Sequence, residues 1–505
     1  MPGQQSRNLR RSTGRKAPQR MDLPAILKVF NSGPNYKHAR LKFRLKEVAP
    51  RTFEQIMEMI GTTQPAVFVF NKDIDAVEET VSGIIPNFLI HSSMQKQEIL
   101  PPSFFISRDD FSIYSEAQEA QLRHQLNRLN QLREDGQRTT IIPIGNKGAG
   151  KSNLMRSLVN RLLSKGFDHV YVLDGDIGQS EFTPNGCITL TKITSPILDK
   201  PYGHLQSKFD NSFFYGDVSV RSFPLYMDIF ERLYNKFKAI SEPGSVCIIN
   251  SMGWVIDEGA EILDSIISVA EPDLFIEIYR DLAEARYQFP NVADDRLIEI
   301  FANTSLGIVG LPQQKRLPPS LIRDLTIVGY FSSKLSRPSL SCFSNVAPYK
   351  MRFQNTTICV PVDLLVEDSH ILSSINTQLM ALCLNNSESS SRKLCGKDDM
   401  PSLCVLEETT PPLQCIGFGI IRGISVEDKA IYVVSPVDLQ DLDAPPLLVR
   451  GMRIQTPDMF FTTNMYNKCP YVLNLPEKRP TTEKNLDGLY QPSVNTTQFK
   501  RSRKF

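Results

Sequence analysis

The sequence lacks most of the signatures that would mark a secreted, zinc-bound or membrane-spanning chain. Its nine cysteines (Cys187, Cys247, Cys342, Cys359, Cys383, Cys395, Cys404, Cys415 and Cys469) stand singly, with no CxxC pair. That argues against a zinc ribbon and for a reducing compartment. No stretch reaches about 18 uninterrupted apolar residues, and the basic first 30 residues have no apolar signal segment, so a soluble chain without a membrane partner is expected. The six histidines show neither HExxH nor His/Cys ligand spacing, and no GxSxG nucleophile elbow occurs. A resident zinc and a hydrolase serine are therefore not expected. Tryptophan is reduced to one residue, Trp254.

What remains is ordinary globular composition. The chain has 505 residues, 41% of them hydrophobic and 22% charged, which excludes a wholly disordered or fibrous protein and predicts two or three domains. Net charge is only +2, but it is unevenly spread. Arg7, Arg10, Arg11, Arg15, Lys16 and Arg20 at one end, with Lys500, Arg501, Arg503 and Lys504 at the other, are ten cations; setting them aside turns +2 into −8. A polyanion partner must then be held by local clefts and by the ends rather than by a general positive field. Basic ends also suit nuclear import, although a solvated terminus would have the same composition.

Five segments follow from the texture of the chain. Residues 1–20 form a basic tail, 21–137 a β-rich region, 138–344 an α/β domain, 345–480 a second β-rich region and 481–505 a second basic tail. Between Ser115 and Gly136, Leu122, Leu126, Leu129 and Leu132 recur at helical spacing, predicting an amphipathic helix and a hinge between domains. From Thr139 apolar strands alternate with helices: Thr140 to Ile144, Lys151 to Lys165, then Val170 to Leu173. Further strands are expected at Val246 to Ile249, Phe275 to Ile278 and Leu306 to Val309, and helices at Pro224 to Ile240, Glu258 to Ala270 and Ser320 to Phe331. This is the pattern of a mainly parallel sheet with helices on both faces. Later runs such as Thr357 to Val360 and Ile416 to Ile421 predict strands between turns, and Asn385 to Arg392 predicts an exposed loop.

Between the first strand and helix of the α/β domain lies Gly145-Asn146-Lys147-Gly148-Ala149-Gly150-Lys151-Ser152, the pattern GxxxxGK[ST]. Glycines let successive N–H groups face one anion, and the helix N-terminus adds partial positive charge. Lys151 is placed to reach the β- and γ-phosphates of ATP, and the Ser152 hydroxyl to ligate Mg²⁺. The next strand ends in Leu173-Asp174-Gly175-Asp176-Ile177-Gly178-Gln179. In extended chain Asp174 and Asp176 point to one side, so one can serve the metal while the other takes a proton from an incoming hydroxyl. An ATPase would need a positioned water instead. A plain turn after a strand would also use Asp-Gly-Asp.

Asn250-Ser251-Met252-Gly253-Trp254 follows an apolar run, where strand-end loops of an open α/β sheet line the active edge. An indole there can stack on a nucleobase, although a lone tryptophan is more often a core residue. Lys315, Arg316 and Arg323 flank and enter a helix started by Pro318 or Pro319; they fit a lid closing on a phosphoryl group, and a solvated basic face equally well.

Together, GNKGAGKS, LDGDIGQSEFTPNG (Leu173 to Gly186), FYGDVS (Phe214 to Ser219), INSMGW and GFGIIRGI (Gly417 to Ile424) resemble the polynucleotide 5′-hydroxyl kinases, specifically their nucleolar branch in pre-ribosomal RNA processing. The resemblance implies an α/β P-loop kinase domain flanked by two β-rich domains, using ATP and Mg²⁺ on RNA with a 5′-hydroxyl end. It implies Asp174 as general base, Asp176 and Gln179 supporting metal and phosphates, and Ser152 and Asp176 as metal ligands. Ser251, Gly253 and Trp254 become a clasp on the substrate end, with Arg316 and Arg323 in the lid. It further implies a nuclear, nucleolar protein working with an endoribonuclease that cuts the internal transcribed spacer. Asn153 stands where the family commonly has Thr or Ser, and Ser251 replaces the clasp threonine while keeping a hydroxyl. The alternative is a scaffold subunit that binds ATP without turning it over.

Overall fold

The computed structural model describes residues 67–71, 94–95, 104–108, 115–197, 201–289, 292–302, 318–332, 346–385, 391–440, 442, 444–458 and 460. Strands β1 (Val67–Asn71), β2 (Met94–Gln95) and β3 (Phe104–Arg108) pair antiparallel in the order β1-β3-β2, within a unit of their own. The apolar residues Val67 to Phe70 all lie in β1, in keeping with the β-rich character expected for 21–137.

The remaining elements build one extended sheet. Its first half contains β4 (Thr139–Ile144), β5 (Val170–Asp174), β6 (Cys187–Ile193), β7 (Ser212–Phe214), β8 (Val246–Asn250), β9 (Leu274–Tyr279) and β10 (Leu297–Phe301). The order is β10-β9-β4-β8-β5-β6-β7, and the first five strands run parallel. Helices α1 (Glu116–Glu134), α2 (Lys151–Ser164), α3 (Phe223–Ile240) and α4 (Glu258–Ala270) cover it. Alternate side chains go to opposite faces: Ile141, Val172 and Ile248 pack with α1 and α2, while Ile142, Leu173 and Ile249 pack with α3 and α4. Both faces being covered explains why β4, β5 and β8 are buried at every position and read as continuous apolar runs.

The α1 helix packs on the α/β core. A capping box between Ser115 and Gln118 starts it, and Leu122, Leu126 and Leu129 are buried against Leu154, Leu158 and Leu162 of α2. At roughly 2 kcal/mol for each buried leucine, that face docks the helix firmly on the α/β core. Glu119 adds a two-pronged pair to Arg161, with both contacts at 2.9 Å.

The second half of the sheet contains β11 (Tyr349–Arg352), β12 (Thr357–Pro361), β13 (Leu379–Cys383), β14 (Arg392–Lys393), β15 (Ser402–Leu406), β16 (Leu413–Ser425), β17 (Ala430–Val434) and β18 (Leu447–Arg450). Helix α5 (Pro319–Ser332) lies between the halves in sequence, and α6 (Asp368–Ile375) within the second. The boundary expected near residue 345 is not a break in hydrogen bonding, because β7 pairs antiparallel with β16, Phe214 opposite Leu413. One core joins Phe214, Leu325 and Tyr330 to Phe418 and Val449. Pairing across such a junction leaves neither half with an open edge there. Cysteines scattered in sequence become cross-strand neighbours, Cys383 opposite Cys415 and Cys359 opposite Cys404, all buried free thiols. The strand expected at Leu306 to Val309 lies outside the described residues.

Candidate active site

The P-loop leaves β4 at the centre of the five parallel strands, where loops at the carboxyl ends converge. Gly150 caps α2 with φ +118°, a conformation open to glycine, and so turns the chain into the helix. Lys151 is the first helical residue and is buried; its Nζ donates to the carbonyls of Gly145 at 2.7 Å and Asn146 at 3.3 Å. Burial lowers its pKa to about 8, and the nearby Asp176 carboxylate works in the opposite direction.

The two acids, two residues apart, have different surroundings. Asp174 ends β5 and is 1% exposed. Its Oδ2 accepts from the Glu181 N–H at 2.6 Å, and its Oδ1 from Asn250 Nδ2 at 2.8 Å and the Asp176 N–H at 3.3 Å. Burial pushes its pKa up to about 7, against the Glu181 N–H, with Asp176 adding like-charge repulsion. Asp176 is half-buried and uses Oδ1 to accept from the N–H groups of Gly178 (3.2 Å) and Gln179 (3.0 Å). Burial raises its pKa as well, and the charges that oppose this are Lys151 first and Lys147 later.

The two acids are therefore held differently. Asp174 uses both oxygens on Asn250 and the N–H groups of its own loop, whereas Asp176 bonds the turn through Oδ1 and feels the charges of the two P-loop lysines. Gln179 is half-buried in the same turn, its N–H bound to Asp176.

Glycine at 253 brings the INSMGW loop to the same place. A Cβ there would lie 2.6 Å from Lys147 Cα and 2.9 Å from Lys151 Nζ, so only a residue without a side chain fits. Trp254 is 39% exposed, which rejects the core reading, and its indole lies over Gly259 in the first turn of α4, where a Cβ would meet the ring at 2.3 Å. Ser251 does not match its expected role: it is buried, and its hydroxyl donates to the Pro143 carbonyl at 3.3 Å, tying β8 to β4. Asn153 is exposed and accepts from Arg156 at 3.0 Å, so the departure at that position stays local. Arg323 lies half-buried on α5, and Arg316 lies outside the described residues.

Three further residues shape the site, of which Asn250 and Glu181 lie inside the quoted motifs without having been given a role and Arg280 lies outside them. Asn250 orients Asp174. Glu181, buried, receives Arg156 of α2 at 2.6 and 2.9 Å and lies 3.1 Å from His204. Burial opposes its charge, but Arg156 and His204 outweigh that and hold it below the usual carboxylate range. Arg280, just past β9, donates from Nε to the Ala149 carbonyl at 3.2 Å. For Asn250 and Arg280 the detectable signal was position at a strand end, not residue type.

For a divalent cation the donor set is a serine hydroxyl and a carboxylate, hard oxygens of the kind Mg²⁺ takes. Among the described residues no group of three or more His, Cys, Asp or Glu is arranged to hold a metal. A cation here would draw most of its ligands from phosphates and water, as Mg²⁺ commonly does.

Residues 145–333 match the family described as the mRNA cleavage and polyadenylation factor CLP1 P-loop. Among solved structures, a chain of the wild-type Clp1p-Pcf11p complex is 15% identical with a TM-score of 0.47, over 68% of this chain and 83% of that one. The polynucleotide 5′-hydroxyl-kinase NOL9 of Homo sapiens is 26% identical over 358 residues, 62% of this chain and 48% of that protein. The polynucleotide 5′-hydroxyl-kinase nol-9 of Caenorhabditis elegans is 72% identical over 489 residues, 97% of this chain and 89% of that protein. Identity at that level across nearly the whole chain, with the P-loop family match at residues 145–333, means that this protein belongs to the polynucleotide 5′-hydroxyl-kinase family and is an ATP-binding phosphotransferase.

Proposed function

We propose that the chain transfers the γ-phosphate of ATP to the 5′-hydroxyl of RNA ends made during internal-transcribed-spacer processing of pre-ribosomal RNA, in the nucleolus, beside an endoribonuclease. The observation that carries the chemistry is Gly253, the residue before Trp254, pressed against Lys147 and Lys151 of the P-loop, with the Asp176 carboxylate near enough to influence Lys151. The nucleolar setting rests on the family branch its motifs resemble and on the clustered cations of residues 1–20 and 500–505.

In this reading Lys151 turns from the loop carbonyls to the β- and γ-phosphates, and the P-loop N–H groups orient the triphosphate. Asp176 accepts the proton of the incoming 5′-hydroxyl as the new O–P bond forms and the bond to the β-phosphate oxygen breaks, leaving ADP. Asp174 acts as a positioning residue that holds the turn. Ser152 would hold Mg²⁺, which supplies neutralisation of phosphate charge when bound. Trp254 stacks on the terminal base, and Arg316 and Arg323 close over the phosphates.

The test follows label from γ-phosphate-labelled ATP to a 5′-hydroxyl oligoribonucleotide. Wild type should transfer, and Lys151→Ala should not. Trp254→Ala should raise the RNA KM about tenfold while leaving ATP affinity unchanged. Tight ATP binding without any transfer by wild type would return the scaffold reading.

A further inference from the structure

The triphosphate site has a direction, and the order of the strands sets it. The acid loop follows β5 and the Gly253–Trp254 loop follows β8, and both strands lie on one side of β4. The γ-phosphate end therefore lies toward that side. The opposite neighbour of β4 is β9, so the α-phosphate end extends over the loop that begins with Arg280.

Arg280 is not satisfied there by protein alone. Its Nε donates to the Ala149 carbonyl inside the P-loop, but its Nη1 is buried and has no hydrogen-bond partner among the described residues. Nor does any carboxylate pair with it among the described residues. Arg286, six positions on, shows the contrast: it bonds Glu277 and lies 3.0 Å from Glu299. A buried guanidinium N–H without an acceptor is costly, and such cases are rare unless a ligand supplies the acceptor. The planar fork of arginine suits the double task, with one nitrogen on the loop carbonyl and another on a phosphate oxygen.

We propose that Arg280 is a nucleotide-binding residue that grips the α-phosphate, fixing the P-loop and the nucleotide to each other. The assignment rests on the reading of the P-loop as the ATP site. It predicts a residue that recognises ATP, ADP and AMP alike, because all three carry that phosphate, whereas Lys151 favours the longer chain.

The experiment is competitive binding of ATP, ADP and AMP against a fluorescent ATP analogue, without RNA, on the full chain. Arg280→Ala and Arg280→Lys should each weaken all three nucleotides by a similar factor, about tenfold or more. Lys151→Ala should instead lose far more for ATP than for AMP. Arg280→Lys retains the charge, so a wild-type melting temperature with weakened binding separates recognition from folding even where the alanine variant is unstable. Wild-type affinities in the lysine variant, or a loss that grows from AMP to ATP, overturns the assignment. Failure of the wild-type chain to bind any of the nucleotides overturns the site itself, and with it the role of Arg280.

Discussion

Between residues 151 and 277, Lys151, Asp174, Glu181, Asp217 and Glu277 bury their charged side chains; from 346 to 460 no charged side chain is buried among the described residues. There the buried polar set is Thr356, Ser435 and Thr456. Both regions belong to one hydrogen-bonded sheet with comparable apolar cores, so packing does not account for the difference. Burying a charge costs several kcal/mol unless it is paired, and most of these have dedicated partners: Arg156 for Glu181, Arg286 for Glu277, and Arg453 at 2.7 Å from Asp217. The first half accepts that cost where its strands end at the P-loop. The second half supplies a scaffold and one cation, Arg453, to the FYGDVS loop.

The sharpest way to break this comparison lies within the first half. Asp176→Asn should cut phosphate transfer about a thousandfold while ATP affinity is kept or improved, since a negative charge beside the triphosphate is removed. Asp174→Asn should instead lower the melting temperature by several degrees, because an amide N–H₂ would face N–H donors on both sides. If Asp174→Asn melted like wild type and lost only chemistry, the positioning role of Asp174 would be wrong.

A smaller effect is expected from pH. The Lys151 pKa in the free protein is about 8, so ATP affinity should weaken as pH rises through that value and the ammonium loses its proton. Lys151→Met should bind weakly and show a flattened profile in titrations between pH 6 and 9. The smallest effect tests the scaffold half. Ile358→Val should cost about 1 kcal/mol in denaturant unfolding and leave kcat and both KM values unchanged. A change in transfer kinetics there would show that the second half does more than support.

Much of the fold could be read from the chain. Strands β4, β5 and β8 are apolar runs because both faces are covered, and α2 starts where the glycine pattern ends. The edge strand β10 was not anticipated, since Ile298 and Ile300 alternate with Glu299 and Phe301 over too short a span to stand out. The continuity of β7 with β16 was equally hidden, because pairing between strands some two hundred residues apart leaves no local periodicity. The cysteine neighbours arise in the same way. At the site, the motifs led to Lys151, Asp174, Asp176, Ser251 and Gly253, but the internal hydrogen bonds that Ser251 and Asp174 make were not legible in them.

The sequence by itself determined the chemistry available: a phosphate-binding loop, two acids on one turn, a lone indole after a strand, and a family whose members share those motifs. Only the tertiary structure decided how differently the two acids are held, because i and i+2 on a strand point alike, and the turn after Asp174 separates them. It also placed Arg280 under the P-loop, since adjacency of β9 to β4 is a property of the sheet and not of the chain.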